Sequence, residues 1–215
     1  MSNRTFLLLS NRVESPKPPF ERYDIQIPES LIKHFVKRFS KRGDKVLDPF
    51  AGLGSTIRVC DSLGRIPYGV EVEPRRHAWI CEHTSHSDNI ILGDSAKIST
   101  FGFPEFDFSF TSPPYMARHH RWNPLFGGDP KHAGYKKYHS RLREIYKNVS
   151  AHMKRGSYVI VQVDNLKGKQ PSPLAWDVAE TISVVLRFQG EIIVGWDGKR
   201  NYDYDHTYCL VFKKS

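Results

Sequence analysis

The stretch with the most chemical content is TSPPY at residues 111–115. The two prolines fix φ at both positions and remove two N–H donors, so carbonyls point outward as rigid acceptors between Ser112 and Tyr115. An exocyclic amine on a flat base needs such a group. It would donate to the Ser112 hydroxyl and the Pro113 carbonyl while the ring stacks on Tyr115. The same letters are also typical of a turn that ends a strand, and in isolation they favour that interpretation.

A second candidate is the turn DPFAGLGST at residues 48–56. Gly52 and Gly54 let the backbone turn tightly and approach a ligand, and the N-terminus of the next helix favours a negative group. A dinucleotide fingerprint would need a third glycine where Ile57 stands. In a dinucleotide site Asp48 would place a carboxylate beside the phosphates, where the two negative charges repel each other. A carboxylate at this position suits a ligand that carries a cation. S-adenosylmethionine carries both an ammonium and a sulfonium.

Two further acids end predicted strands. Glu71 lies in YGVEVE and can accept hydrogen bonds from both ribose hydroxyls of a nucleoside. Asp94 ends IILGD and could receive an adenine amino group. Each acid could instead cap the helix behind it. Acids at three successive strand ends, Asp48 included, favour a nucleoside site.

The elements that must position these residues alternate along the chain. Apolar strands are predicted at residues 45–50, 68–73, 90–94, 106–112, 157–165, 191–196 and 207–212. Helices between them predict an α/β fold with a doubly wound sheet. The last two strands are joined by a short polar loop and must pair antiparallel. The prediction is a seven-stranded, mostly parallel sheet with an antiparallel last strand, and the four turns above should share one crevice.

Length and composition fit one domain. Residues 1–24 are polar and proline-rich and are predicted to be an N-terminal arm, and residues 25–215 a single domain. No apolar run approaches the roughly 20 residues of a membrane span. Three distant cysteines argue against a disulfide framework and a zinc site and suit a reducing cytoplasm.

The net charge of +9 favours a polyanion as partner. Cations and aromatic residues interleave in the predicted loop at residues 116–138, which suits phosphate contact and base stacking. The predicted nucleic-acid-binding residues are Arg118, His119, His120, Arg121, Trp122, Lys136 and Lys137. A solvated lid without specific contacts is the alternative. A metal at the two adjacent histidines is not expected, because no cysteine or acid stands at ligand spacing.

These motifs resemble those of the amino-methyltransferases that modify exocyclic amines of nucleic-acid bases, the N4-cytosine and N6-adenine DNA methylases. DPFAGLGST is similar to their cofactor motif, GVEVEP to their ribose-binding segment, GDS to their adenine contact and TSPPY to their catalytic tetrapeptide. The resemblance implies a Rossmann-like class I S-adenosylmethionine methyltransferase. It implies the catalytic residues Ser112, Pro113, Pro114 and Tyr115, and the cofactor-binding residues Asp48, Phe50, Ala51, Gly52, Gly54, Ser55, Glu71 and Asp94.

In that family a serine at the first tetrapeptide position generally goes with cytosine N4, and an aspartate with adenine N6. Ser112 therefore implies methylation of cytosine N4 in DNA, with S-adenosyl-L-methionine as cofactor. A separate target-recognition region of the usual length is not seen, so a base amine in RNA stays an alternative substrate. A non-catalytic nucleic-acid-binding module and a nicotinamide oxidoreductase are less favoured alternatives. The oligomeric state is not predicted.

Overall fold

The computed structural model describes residues 5–22, 26–198 and 204–215. In these residues the strands are β1 (Phe6–Ser10), β2 (Lys45–Asp48), β3 (Ile66–Glu71), β4 (Ile90–Leu92), β5 (Phe106–Thr111), β6 (Met153–Val163), β7 (Arg187–Asp197) and β8 (His206–Lys213). The helices are α1 (Glu29–Phe39), α2 (Ser55–Ser62), α3 (Pro74–Glu82), α4 (Tyr135–Ala151) and α5 (Leu174–Ser183). Short 3-10 turns lie at Ser87–Asn89, Ser95–Thr100, Pro124–Phe126 and Pro130–His132.

All described strands form one sheet in the order β1-β7-β8-β6-β5-β2-β3-β4. β8 lies antiparallel between β6 and β7, and every other neighbouring pair is parallel. The α/β class, the mostly parallel sheet and the antiparallel last strand are therefore confirmed. The predicted loop between the last two strands falls largely on residues 199–203, outside the described residues.

The predicted count of seven strands is wrong, because β1 adds an eighth. This strand lies inside the segment predicted as an arm and pairs in parallel with β7, Phe6 opposite Ile193. Leu7 and Leu9 pack against the core, whereas Phe6 and Leu8 are 59% and 65% exposed. The run FLLL is uniformly apolar although its burial alternates, so it lacks the alternating pattern that marks a half-buried strand. The division at residue 24 stays a prediction.

The core lies on both faces of the sheet. Along β6, Val159 and Val161 pack with residues of α4 and α5, whereas Ile160 between them packs with residues of α1. Such two-sided burial gives a parallel strand its continuous apolar sequence. Strands β2 to β6 are parallel to their neighbours among themselves, so their carboxyl ends meet at one edge of the sheet. No helix within the described residues has the length and apolarity needed to cross a membrane.

Candidate active site

A cavity of about 1390 Å³ lies at the carboxyl ends of the central strands. Its wall includes Asp48, Glu71 and Asp94 together with residues 112–115, so the four predicted turns do meet in one crevice. Phe50, Ala51, Gly52 and Ser55 also line it. Gly54 lies behind the wall, where it precedes α2 with a left-handed φ of +80°. A side chain there would be strained and would stand 3.1 Å from Ile80.

Asp48 joins the glycine-bearing turn to the tetrapeptide segment. Its Oδ1 accepts from the backbone N–H of Phe50 at 3.0 Å and from the Thr111 hydroxyl at 2.6 Å. The bond is possible because β2 and β5 are neighbours in the sheet. Burial raises the pKa of the Asp48 carboxyl, and the hydrogen bonds oppose that rise. Asp48 therefore holds the two motifs in register while one side faces the cavity.

Glu71 holds the same turn from β3. One carboxylate oxygen accepts from the N–H of Gly52 at 2.8 Å and the other from the N–H of Glu73 at 2.9 Å. The side chain is buried, and this burial raises the pKa of the carboxyl. Each oxygen keeps a further lone pair for a ligand hydroxyl. The acid is thus both a turn-forming group and a candidate ribose acceptor.

Asp94 begins the 3-10 turn Ser95–Thr100 and accepts from the N–H of Ala96 at 2.9 Å. The capping alternative is therefore correct for this acid, although the side chain also lines the cavity. Its second oxygen pairs with the guanidinium of Arg141 in α4. Sequence reasoning missed Arg141 as part of this site.

The tetrapeptide is anchored by a side chain of α4, and a hydrogen bond joins its first and last residues. The Ser112 hydroxyl donates to the Tyr115 hydroxyl at 3.2 Å. Tyr138 of α4 is fully buried and donates its hydroxyl to the Pro114 carbonyl at 2.9 Å. Ser112 and Tyr115 remain half-buried at the cavity wall, where an incoming base could reach them.

The predicted loop is shorter and more ordered than expected. α4 begins at Tyr135, so Lys136 and Lys137 lie in the first turn of a helix rather than in a loop. Asn123 is fully buried; its amide donates to the His132 carbonyl at 3.0 Å and accepts from the N–H of Leu125 at 3.1 Å. Trp122 is 62% exposed, and it lines the cavity.

The other predicted nucleic-acid-binding residues are exposed and do not line the cavity. Arg118 pairs with Asp177 at 2.6 Å and keeps 53% of its side chain exposed. His119, His120 and Arg121 are exposed, and the two histidine rings pack edge to face at 4.5 Å. A search of the described residues finds no cluster of His, Cys, Asp or Glu that could hold a metal ion.

The sequence reasoning also missed the far wall of the cavity. Gln162 lies near the end of β6, Asp164 and Asn165 follow that strand, and Asn11 and Val13 come from the N-terminal segment. Polar residues directly after a buried strand were the available signal for the first group. The second group could not be found, because the segment was assigned to an arm.

Comparison with known proteins bears on this arrangement. Residues 5–82 match the family model described as DNA methylase, of the N6/N4 type. The match confirms the resemblance to the N4/N6 DNA methylases. This match and the solved methyltransferases of the same fold, one of which holds S-adenosyl-L-methionine, together confirm the prediction that the cofactor is S-adenosyl-L-methionine.

Among similar proteins, the type II methyltransferase M.MjaI of Methanocaldococcus jannaschii is 38% identical over 56 residues, which are 26% of this chain and 18% of that protein. M.BglII of Bacillus subtilis is 44% identical over 48 residues, which are 22% of this chain and 13% of that protein. The DNA adenine methyltransferase YhdJ of Escherichia coli is 39% identical over 61 residues, which are 28% of this chain and 21% of that protein. The aligned stretch thus spans about a fifth or less of each relative.

Solved structures support the fold of this chain over most of its length. TrmN from Thermus thermophilus has a TM-score of 0.64 at 15% identity, over 88% of this chain and 49% of that one. A TehB-like S-adenosylmethionine-dependent methyltransferase from Corynebacterium glutamicum has a TM-score of 0.59 at 15% identity, over 90% of both chains. The Rossmann-like methyltransferase fold is therefore confirmed.

Proposed function

We propose that this protein is an S-adenosylmethionine-dependent methyltransferase that modifies the exocyclic N4 amine of cytosine in DNA. The observation that carries the proposal is the Asp48–Thr111 hydrogen bond, which ties the cofactor turn directly to the tetrapeptide. A nucleoside-type ligand held by the turn and a base held by the tetrapeptide would then lie side by side in one cavity. Such positioning is the main contribution an enzyme makes to a direct transfer.

The charge of the cavity supports a cationic ligand. Although the chain carries +9 overall, the acidic residues of the described wall are Asp48, Glu71, Glu73, Asp94 and Asp164, and its basic residue is Arg76. Arg76 is itself paired with Glu21 at 2.7 Å. An acidic crevice in a basic protein suits the ammonium and sulfonium of S-adenosylmethionine and opposes a pyrophosphate. The negative charge of the cavity therefore favours a methyltransferase over a nicotinamide oxidoreductase.

When bound, the cofactor would supply an electrophilic methyl group on a sulfonium, which becomes a neutral thioether when the amine takes the methyl group and releases one proton. In the proposed arrangement Asp48, Glu71 and Asp94 hold that molecule, while the Ser112 hydroxyl and the Pro113 carbonyl accept hydrogen bonds from the amine. Acceptors there localise the nitrogen lone pair by favouring a more tetrahedral amine, which stabilises the transition state more than the ground state. Tyr115 provides a face on which the base stacks. A target in a duplex must first be flipped out, at a cost of a few kcal/mol.

The choice of cytosine rests on Ser112. A hydroxyl at the first tetrapeptide position is neutral, and its bond to Tyr115 holds it at the cavity wall. The comparisons include a protein named as an adenine methyltransferase, so the base needs a direct test. The exposed cations at Arg121, Lys136 and Lys137 support a nucleic acid as the partner.

The deciding experiment is a nucleoside mass analysis. The protein is incubated with methyl-labelled S-adenosylmethionine and, separately, duplex DNA, single-stranded DNA and total RNA, and each pool is digested to nucleosides. We expect label in N4-methylcytosine from DNA. Label in N6-methyladenine would refute cytosine as the target base, and label only in RNA would refute DNA as the substrate. No label with cofactor bound would refute the methyltransferase activity.

Variants test the assigned residues. Ser112→Ala and Tyr115→Ala should lose methyl transfer while calorimetry still detects cofactor binding. Ser62→Ala is the matched control, because Ser62 ends α2 away from the cavity and donates only to the Val59 carbonyl at 2.8 Å. Full transfer in both tetrapeptide variants would overturn the catalytic assignment.

A further inference from the structure

Arg141 connects the acid at the third strand end to the segment that covers the cavity. Its guanidinium pairs with Asp94 and, through the other terminal nitrogen, with Glu144 at 2.7 Å. The guanidinium carbon lies 4.9 Å from the centroid of the Phe126 ring, and only 14% of the Arg141 side chain is exposed. A nearly buried arginine thus touches both the cofactor side and the substrate side of the site.

Phe126 also contacts a residue of its own segment. Its ring stacks on His132 with centroids 4.1 Å apart and planes 10° apart. Arg141 and His132 therefore both contact the Phe126 ring, and Phe126 also lines the cavity. The planar guanidinium suits this place, because an ammonium could not both stack on a ring and present a fork to a carboxylate.

We propose that Arg141 is a positioning residue that couples occupancy of the cofactor site at Asp94 to the order of the segment at residues 116–134. A ligand that donates to Asp94 fixes the orientation of that carboxylate, which fixes the guanidinium and hence the ring stacked on it. By thermodynamic linkage, ordering of the segment must raise the affinity for the ligand by the same factor by which the bound ligand favours the ordered segment. The proposal rests on the proposed function, since it takes S-adenosylmethionine as the ligand.

The segment contains trypsin sites at Arg118, Arg121 and Lys131, which report its order without any catalytic readout. We expect saturating S-adenosylmethionine to slow cleavage there in the unaltered protein by about tenfold, a typical coupling between sites. In Arg141→Met and in Phe126→Leu the cofactor still binds by calorimetry, but the protection falls below about twofold. The double variant behaves like either single one, because both remove the same connection.

The matched control is Arg155→Met, which removes an exposed arginine of β6 outside the cavity. It should keep the protection, and thermal melts verify that each variant folds. Full protection in Arg141→Met, or no protection in the unaltered protein with cofactor bound, would refute the coupling alone. Absence of cofactor binding in the unaltered protein would refute the proposed function and the coupling with it.

Discussion

The Asp48–Thr111 bond can be broken with little change of shape by Thr111→Val. Thr111 is fully buried, and its hydroxyl donates to the carboxylate at 2.6 Å. A hydrogen bond to a charged group is worth about 1.5–3 kcal/mol, so we expect the free energy of unfolding to fall by about 2 kcal/mol. In a chain of 215 residues this lowers Tm by about 4–8 °C. Methyl transfer should fall as well, because the tetrapeptide loses its register with the cofactor turn.

Chemical denaturation of Thr111→Val beside Ser109→Ala is the assay. Ser109 lies on the same strand and is equally buried, but its hydroxyl has no hydrogen-bond partner among the described residues. We therefore expect Ser109→Ala to change the free energy of unfolding by less than about 1 kcal/mol. Equal stabilities of the two variants would refute the role assigned to the carboxylate.

The same comparison has a pH dependence with a defined sign. Burial raises the native pKa of Asp48 above its ordinary value of 3.8. Above this raised pKa the carboxylate is charged, and losing the Thr111 hydroxyl costs the full amount. As the pH falls through the raised pKa the carboxyl takes up a proton, so the difference between the variant and the unaltered protein shrinks. A difference that grows in acid would contradict this reasoning.

Three further outcomes are expected. In Glu71→Gln the backbone N–H of either Gly52 or Glu73 faces the amide NH2 and loses its acceptor. The free energy of unfolding should therefore fall by about 1–3 kcal/mol, and calorimetry should show weaker cofactor binding. Removing Lys136 and Lys137 together should weaken duplex DNA binding and reduce the slope of its salt dependence by about two, whereas an unchanged slope would exclude phosphate contacts there. Burial lowers the pKa of His139 from its ordinary 6.5, so the unfolded chain takes up the proton first and stability falls as the pH drops below that value. His139→Gln should make this decline shallower in urea titrations.

Much of the crevice was predictable because it is encoded locally. Asp48 and Glu71 end apolar strands and Asp94 comes shortly after one, and the rule that parallel strands end at one edge brings the three acids together. The tetrapeptide is likewise a contiguous signal. The structure adds that these acids also hold the turns around them, as the bonds from Gly52 to Glu71 and from Ala96 to Asp94 demonstrate.

The missed residues depend on contacts between distant parts of the chain. Arg141 reaches Asp94 from a helix that begins after the covering segment, and nothing near it in sequence marks that partner. Its position in the sequence of α4 does not distinguish it from an ordinary exposed basic residue. β1 was missed for a related reason, since its partner strand β7 lies at the other end of the chain.

β1 is synthesised before its hydrogen-bonding partner β7, because β2 to β6 lie between the two strands in the chain. The apolar run FLLL must therefore remain without this partner until β7 has been made. Contacts between such distant residues form slowly, and an unpaired apolar strand promotes association between chains. The outer edge of the sheet closes only after β7 has been made. A delay in synthesis between β1 and β7 should thus raise the risk of aggregation more than the same delay after β7.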